Sequence, residues 1–147
     1  MPIVQQVLNR VSGFSAPALI SQAALETGWG VHVISRHDGA SSHNLFGIKA
    51  KADDANAVMV STKEYEHGRW LNKSAMFKVY DNWTDSVQDY VDKISSETRY
   101  ADAAAKASDP EGYVRALQSA GYATDPDYAD KIMDVMQRVM TMLQGNR

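Results

Sequence analysis

The sequence predicts an α+β domain: a mostly helical body with one small β-hairpin inserted after the first long helix. Three observations predict it. Amphipathic 3.6-residue periodicity covers Ser15 to Thr27 and returns from Thr84 to near the C-terminus. Between these stretches, two runs rich in Val, Met, Thr, Tyr, Trp and Phe flank the dipeptide His67-Gly68, a hairpin pattern. The chain has 147 residues, 44% of them hydrophobic and 22% charged. That is near the size of one domain and enough to bury a core without disulfides or metals, so residues 1–147 are expected to form a single domain.

The first helix is expected over SAPALISQAALET, with Ser15 as the cap, Pro17 tolerated in the first turn and Gly28 as the stop. At about 100° per residue, Leu19, Ile20, Ala23, Ala24 and Thr27 form one apolar arc. Glu26 lies about 20° from Leu19 on that wheel, at the rim of the buried face. Residues 30–55, rich in Gly, Ser, His, Asp and Asn, read as an ordered loop around an apolar knot at Leu45, Phe46 and Ile48. The hairpin strands are expected at Ala57–Glu66 and Arg69–Tyr80. Beyond it, Thr84 caps a helix that buries Val87, Tyr90, Val91 and Ile94. Asp109-Pro110 opens another, closed by Gly121, and Asp125-Pro126 opens the last, with Tyr128, Ile132, Val135, Val139 and Met142 on one face.

Composition excludes several functions. Net charge is −3 with no cluster of Lys or Arg, so a nucleic-acid partner is not expected. The absence of cysteine removes disulfides, zinc-thiolate sites and thiol nucleophiles. His32, His37, His43 and His67 show neither H-x-x-x-H nor H-E-x-x-H spacing, so no metal site is expected. No serine sits in G-x-S-x-G, and there is no glycine-rich phosphate loop. The N-terminus lacks the basic start and apolar stretch of a signal peptide, and no segment reaches the roughly 18 apolar residues of a membrane span, so a soluble domain without membrane insertion is expected.

Glycoside hydrolysis requires a carboxylic acid that stays protonated near neutral pH, and burial against apolar groups does this for a glutamate. Glu26 has such surroundings: a helix end, Trp29 three residues on, and Gly28 and Gly30 to turn the backbone sharply. On spacing alone, a rim glutamate that points to solvent is the commoner case. On the hairpin, Glu64 and Glu66 are two apart and share a strand face, as candidates for a second acid.

The blocks AALETGWG, SSHNLFGIKA, TKEYEHG, FKVYDNW and AGYATDPDYADKI, in that order from about Ser12 to Met133, closely resemble the glucosaminidase family of cell-wall hydrolases. Its members include the muramidase-like domain of the flagellar rod-cap protein. The resemblance implies a lysozyme-like fold with a helical lobe, a small β-lobe and a cleft for the peptidoglycan glycan strand. It implies that Glu26 is the catalytic acid, and that Glu64, in the Thr-x-Glu-Tyr block, is the second acid, with Glu66 a solvated turn residue. Tyr122 would face the cleft near the acid, a loop-pinning tyrosine being the alternative. Asn44 and Phe46 would shape or contact the cleft, a structural role being equally open, and Tyr65 and Trp70 could offer flat faces to sugars. Trp29, Phe77, Tyr80 and Tyr90 are expected in the core.

The implied reaction is cleavage of the β-1,4 bond between N-acetylglucosamine and N-acetylmuramic acid, without metal or organic cofactor. Glu64 would activate water, unless the substrate's own acetamido group assists. A lytic transglycosylase or a muramidase on the same glycan, or a non-catalytic wall-binding or flagellar assembly module, are the competing readings. A periplasmic or secreted monomer is expected, with flagellar rod components as partners through a missing N-terminal domain. The sequence departs from the family in three places. AKADDANAV lacks a tryptophan many members carry, an absence that would alter one sugar subsite. Lys78 stands where arginine is usual, and Thr27 where serine is also common.

Overall fold

The computed structural model of the chain describes residues 13–145, with backbone alone for 143–145; the N-terminal stretch read above for a leader lies outside them. Helix α1 spans Ala16–Thr27, strands β1 and β2 span Ala57–Glu66 and Arg69–Lys78, and helix α2 spans Trp83–Ser96. A 3₁₀ turn at Thr98–Tyr100 leads into the short α3, Ala101–Ala105, followed by α4, Pro110–Ser119, and α5, Tyr128–Gly145. The helices form one lobe, and the two-stranded antiparallel hairpin forms the other.

Helix α1 begins as read: the Ser15 hydroxyl accepts from the Ala18 N–H at 3.3 Å. Its end is a Schellman motif, with Gly28 at φ +55°, its N–H bonded to Leu25 and the Trp29 N–H bonded to Ala24 at 2.8 Å. This stop holds Glu26 in the last turn. Trp29, expected in the core, follows the left-handed cap at φ +60° and is 45% exposed, because the helical periodicity that would bury it has already ended.

The hairpin register runs from Ala57↔Lys78 to Glu66↔Arg69, and His67 and Gly68 at φ +53° and +79° form the two-residue turn. Positive φ at both positions matches the right-handed twist of the strands. β2 ends at Lys78 rather than Tyr80. Tyr80 is instead half-buried past the strand, its hydroxyl donating to Asp89 on α2 at 2.6 Å. The loop before the hairpin is ordered, and its residues 48–50 run along β2 through Lys78 N–H to Ile48 O at 3.0 Å and Ala50 N–H to Met76 O at 2.8 Å. Helix α2 starts two residues earlier than expected: Asn82 accepts from the Asp85 N–H at 2.8 Å, and Thr84 lies inside the first turn.

The core sits in the helical lobe. α1 packs chiefly along α5 and more lightly on α4. Leu19, Phe46, Tyr90, Ile94, Tyr113, Leu117 and Ile132 are all fully buried, and Phe46 stacks on Tyr90 with ring centroids 4.1 Å apart. Phe77 and Tyr90 are buried as expected. Met142 is 57% exposed instead of sharing the buried face of Tyr128, Ile132, Val135 and Val139.

Asn44 ties the loop to the hairpin. Buried, it accepts from the Ile48 N–H at 3.0 Å and donates to the Ile48 and Lys78 carbonyls at 2.9 Å each. Asn44→Ala leaves these backbone groups unpartnered and is expected to lower stability by about 2 kcal/mol. Chemical denaturation of the two proteins measures the difference.

Candidate active site

Glu26 stands at the meeting of α1, the loop 44–50 and α5. The Tyr128 hydroxyl, on the first turn of α5, donates to Glu26 Oε1 at 2.9 Å. Helix α5 is held in place from α4, where the Gln118 side chain donates to Pro126 O and accepts from the Ala129 N–H, both at 2.7 Å. That bond satisfies one of the N–H groups a helix leaves open at its start. On the other side, Gly47 (φ +64°) lies so close that an added Cβ would stand 2.9 Å from Glu26 Oε2. Burial of the carboxyl pushes its pKa up to about 7; the Tyr128 hydrogen bond opposes the rise and the Glu64 charge adds to it.

Glu64 faces the same cleft from β1. Its Oε1 accepts from Lys49 Nζ at 3.0 Å, and its Oε2 accepts from the Thr124 hydroxyl at 2.6 Å. The Thr124 oxygen also receives the Tyr65 N–H at 2.9 Å, so the loop before α5 is tied to the hairpin. Partial burial works against ionisation of Glu64, but the Thr124 and Lys49 hydrogen bonds and the Lys49 and Lys73 charges outweigh it and hold the carboxyl below the usual range. Glu26 therefore keeps its proton near neutrality while Glu64 is charged. Glu66, on the same strand face, pairs with Lys73 and is not among the residues lining the cleft.

The cleft between them measures about 330 Å³. Tyr122 lines it, with its hydroxyl donating to Phe46 O at 2.6 Å and its ring stacked on Tyr128 at 6.0 Å. It thereby does both things the sequence left open: it faces the cleft and pins the loop. Trp70 lines the hairpin end of the cleft, half-exposed, edge-on to Tyr65 at 5.3 Å and with Lys131 Nζ 5.7 Å from its ring. Tyr65 itself sits behind Trp70, outside the lining. Asn44 and Phe46 lie beneath the wall, not on it, 2% and 0% exposed. Phe77, read as core, is buried and forms part of the cleft floor. Among the described residues no three of His, Asp or Glu are grouped as a metal site, and no helix is long and apolar enough to cross a membrane.

Sequence reasoning missed Gly47, Lys49, Thr124, Tyr128 and Gln22. Tyr128 was read only as a core position of α5. Its signal was its type: a tyrosine on a buried face needs a partner for its hydroxyl. Gln22 carried a similar signal, lying about 60° from Leu19 on the buried side of α1.

Comparison with known proteins shows the family and the fold. The family model described as Glucosaminidase, mannosyl-glycoprotein endo-beta-N-acetylglucosaminidase, matches residues 2–141. The chain is 43% identical over 143 residues to the peptidoglycan hydrolase FlgJ of Pseudomonas aeruginosa, covering 96% of this chain and 35% of that protein. Among solved structures, a peptidoglycan hydrolase mutant from Sphingomonas sp. A1 superposes with a TM-score of 0.85 at 41% identity, covering 95% of this chain and 94% of that one. The C-terminally truncated glycoside hydrolase domain of Salmonella typhimurium FlgJ does so with a TM-score of 0.73 at 37% identity, covering 95% and 92%. The chain spans less than half the length of the curated relatives it matches.

Gly47→Ala tests how closely the loop wall fits the acid. The new methyl meets Glu26 Oε2 at 2.9 Å and sits on a backbone that disfavours a side chain. The carboxyl must move, so turnover is expected to fall about tenfold or more while the protein stays folded by circular dichroism. Unchanged turnover would show that the Glu26 position tolerates displacement.

Proposed function

Because the chain belongs to the glucosaminidase family, we propose that it is a peptidoglycan hydrolase cleaving the β-1,4 bond between N-acetylglucosamine and N-acetylmuramic acid in cell-wall glycan strands. The observation that carries this reading is a pair of carboxyls facing one cleft with opposite affinities for a proton. In the proposed step, Glu26 gives its proton to the glycosidic oxygen as the bond from the anomeric carbon breaks, and the bonding electrons leave with that oxygen. Ionised Glu64 accepts a proton from water as the water oxygen bonds to the anomeric carbon. Tyr122 and the exposed face of Trp70 supply surface for sugar rings.

A peptidoglycan substrate lies outside the cytoplasm, so the proposed site of action is the periplasm or the cell exterior. Flagellar rod components are proposed partners, through the likeness to the rod-cap domain.

Glu26→Gln keeps the shape of the side chain but removes the acidic proton, and should reduce clearing of a peptidoglycan suspension by about 100-fold or more. Mass spectrometry of the wild-type digest should find N-acetylglucosamine at the new reducing ends. N-acetylmuramic acid there would make the enzyme a muramidase, and anhydromuramyl ends a lytic transglycosylase.

The pH profile follows from the two carboxyls. Glu26 must be protonated, so kcat/KM should fall as pH rises through about 7. Glu64 must be ionised, so the rate should fall again only in acid, below the ordinary glutamate range of about 4.3. Glu64→Gln should lower the rate and abolish the acid limb. It should also move the alkaline limb to lower pH, since the charge that helps raise the Glu26 pKa is gone. A Glu64→Gln profile that keeps the acid limb at near-normal rate would remove Glu64 from the mechanism and favour assistance by the substrate acetamido group.

A further inference from the structure

Behind Glu26 runs a line of buried polar groups. The Tyr128 hydroxyl bonded to Glu26 Oε1 also accepts from Gln22 Nε2 at 2.9 Å. Gln22 Oε1 accepts from the Tyr90 hydroxyl, which is itself bonded to the Tyr113 hydroxyl. Gln22, Tyr90 and Tyr113 are completely buried and Tyr128 nearly so. The direction of the line is set at its far end. Tyr113 has no other side-chain hydrogen bond among the described residues, so its single proton goes to Tyr90. Tyr90 must then donate to Gln22 Oε1, which turns the Gln22 amide N–H toward Tyr128. Because Gln22 presents N–H to it, the Tyr128 hydroxyl proton cannot turn back along the line and is donated to Glu26 Oε1. Reversing a bond in the line would leave a hydroxyl proton, that of Tyr113 at one end or Tyr128 at the other, buried without an acceptor.

We propose that Gln22 is a positioning residue: through Tyr128 it reserves Glu26 Oε1 as an acceptor and holds the acid's proton on Oε2, the oxygen beside Gly47 on the cleft wall. The proposal rests on the assignment of Glu26 as the acid. One arrangement then serves both states of the carboxyl. Before transfer, the proton stands on the oxygen where the glycosidic oxygen can approach, because position 47 carries no side chain. As the proton passes from Oε2 to that oxygen and the glycosidic bond breaks, the charge left on the carboxylate meets a hydroxyl already pointing at Oε1, and no group in the line has to reverse.

The other titratable groups toward Glu26 are Tyr122 from the loop before α5 and Glu64 from β1. Lys49, Lys63, Asp125 and Lys131 stand elsewhere on the cleft wall. None of them is altered by a change at Gln22. In Gln22→Met, which fills the space but neither donates nor accepts, the Tyr128 hydroxyl loses the N–H that polarises it and donates more weakly to Glu26 Oε1. The neutral acid is then favoured over the carboxylate.

The test is carbon NMR titration of the Glu26 carboxyl in protein carrying labelled glutamate, the signal being the one missing from Glu26→Gln. Gln22→Met should raise the titration midpoint by roughly one unit, because the donor that favours the charged form is weakened. It should also lower kcat about tenfold with little change in KM and carry the alkaline limb upward with the midpoint. Tyr128→Phe removes the donor outright and should raise the midpoint at least as far, which keeps the test available if Gln22→Met does not fold. A midpoint that stays put or falls in a folded variant overturns the proposal, even where kcat is reduced, since loosened packing alone admits water to the carboxyl and moves the midpoint down rather than up. Failure of the Glu26 assignment is separable: it appears as retained activity in Glu26→Gln and leaves the titration result standing.

Discussion

The site depends on one contact, the hydrogen bond from the Tyr128 hydroxyl on α5 to the carboxyl of Glu26 on α1. Among the described residues these two helices form the most extensive helix pair, and Gln22, Tyr128 and Glu26 are polar groups set between them. A polar group in such a seam is tolerated only when it is fully partnered. No described buried side-chain nitrogen or oxygen lacks a partner. The requirement reaches outward. The Gln118 side chain fixes the start of α5, the Schellman turn at Gly28 fixes the end of α1, and Phe46 stacked on Tyr90 fixes the loop that brings Gly47 to the carboxyl.

The same carboxyl type behaves in opposite ways on the two sides of the cleft because the surroundings differ. Glu26 is surrounded by protein with one neutral donor, so the cost of burying a charge dominates and the proton is retained. Its place in the last turn of α1 acts in the same direction, since the carbonyl end of a helix disfavours an anion. Glu64 lies at a partly exposed position with an ammonium and a hydroxyl on its two oxygens, and these outweigh the smaller desolvation. One residue type so supplies a carboxyl that holds its proton and one that gives it up.

The helices were legible because their caps and faces are local: Ser15, Gly28, Asp109-Pro110 and the buried stripe Val87, Tyr90, Val91 and Ile94 each state their element within a few residues. The hairpin was legible from His67-Gly68 for the same reason. Errors fell at boundaries, where Asn82 out-competed Thr84 as a cap and Tyr80 turned to Asp89 after the strand had ended. Glu26 and Glu64 were found through the order of the motif blocks; their spacing alone would not have joined them across the fold. What could not be read was the set of partners that tune them. Lys49 reaches Glu64 across 15 positions, Thr124 across 60, and Tyr128 reaches Glu26 across 102. Pairings at such separation exist only after the loops and α5 have packed.

The two walls of the cleft also differ in how firmly they are held. Glu26 is fixed from below by a part-buried bond to Tyr128 backed by the buried bonds of Gln22 and Tyr90, and such bonds strengthen one another in a low dielectric. Glu64 is fixed by exposed bonds to Lys49 and Thr124, of the kind that contribute little and weaken with salt. The loop carrying Thr124 is meanwhile anchored by the Tyr122 hydroxyl to Phe46 O, so it stays with the helical lobe when those outer bonds break. The bonds that join the hairpin to Thr124 are thus exposed, whereas loop 48–50, with Lys49, is held to β2 by backbone hydrogen bonds. In the proposed reaction this asymmetry sets a firmly held proton donor opposite a base whose own bonds are exposed.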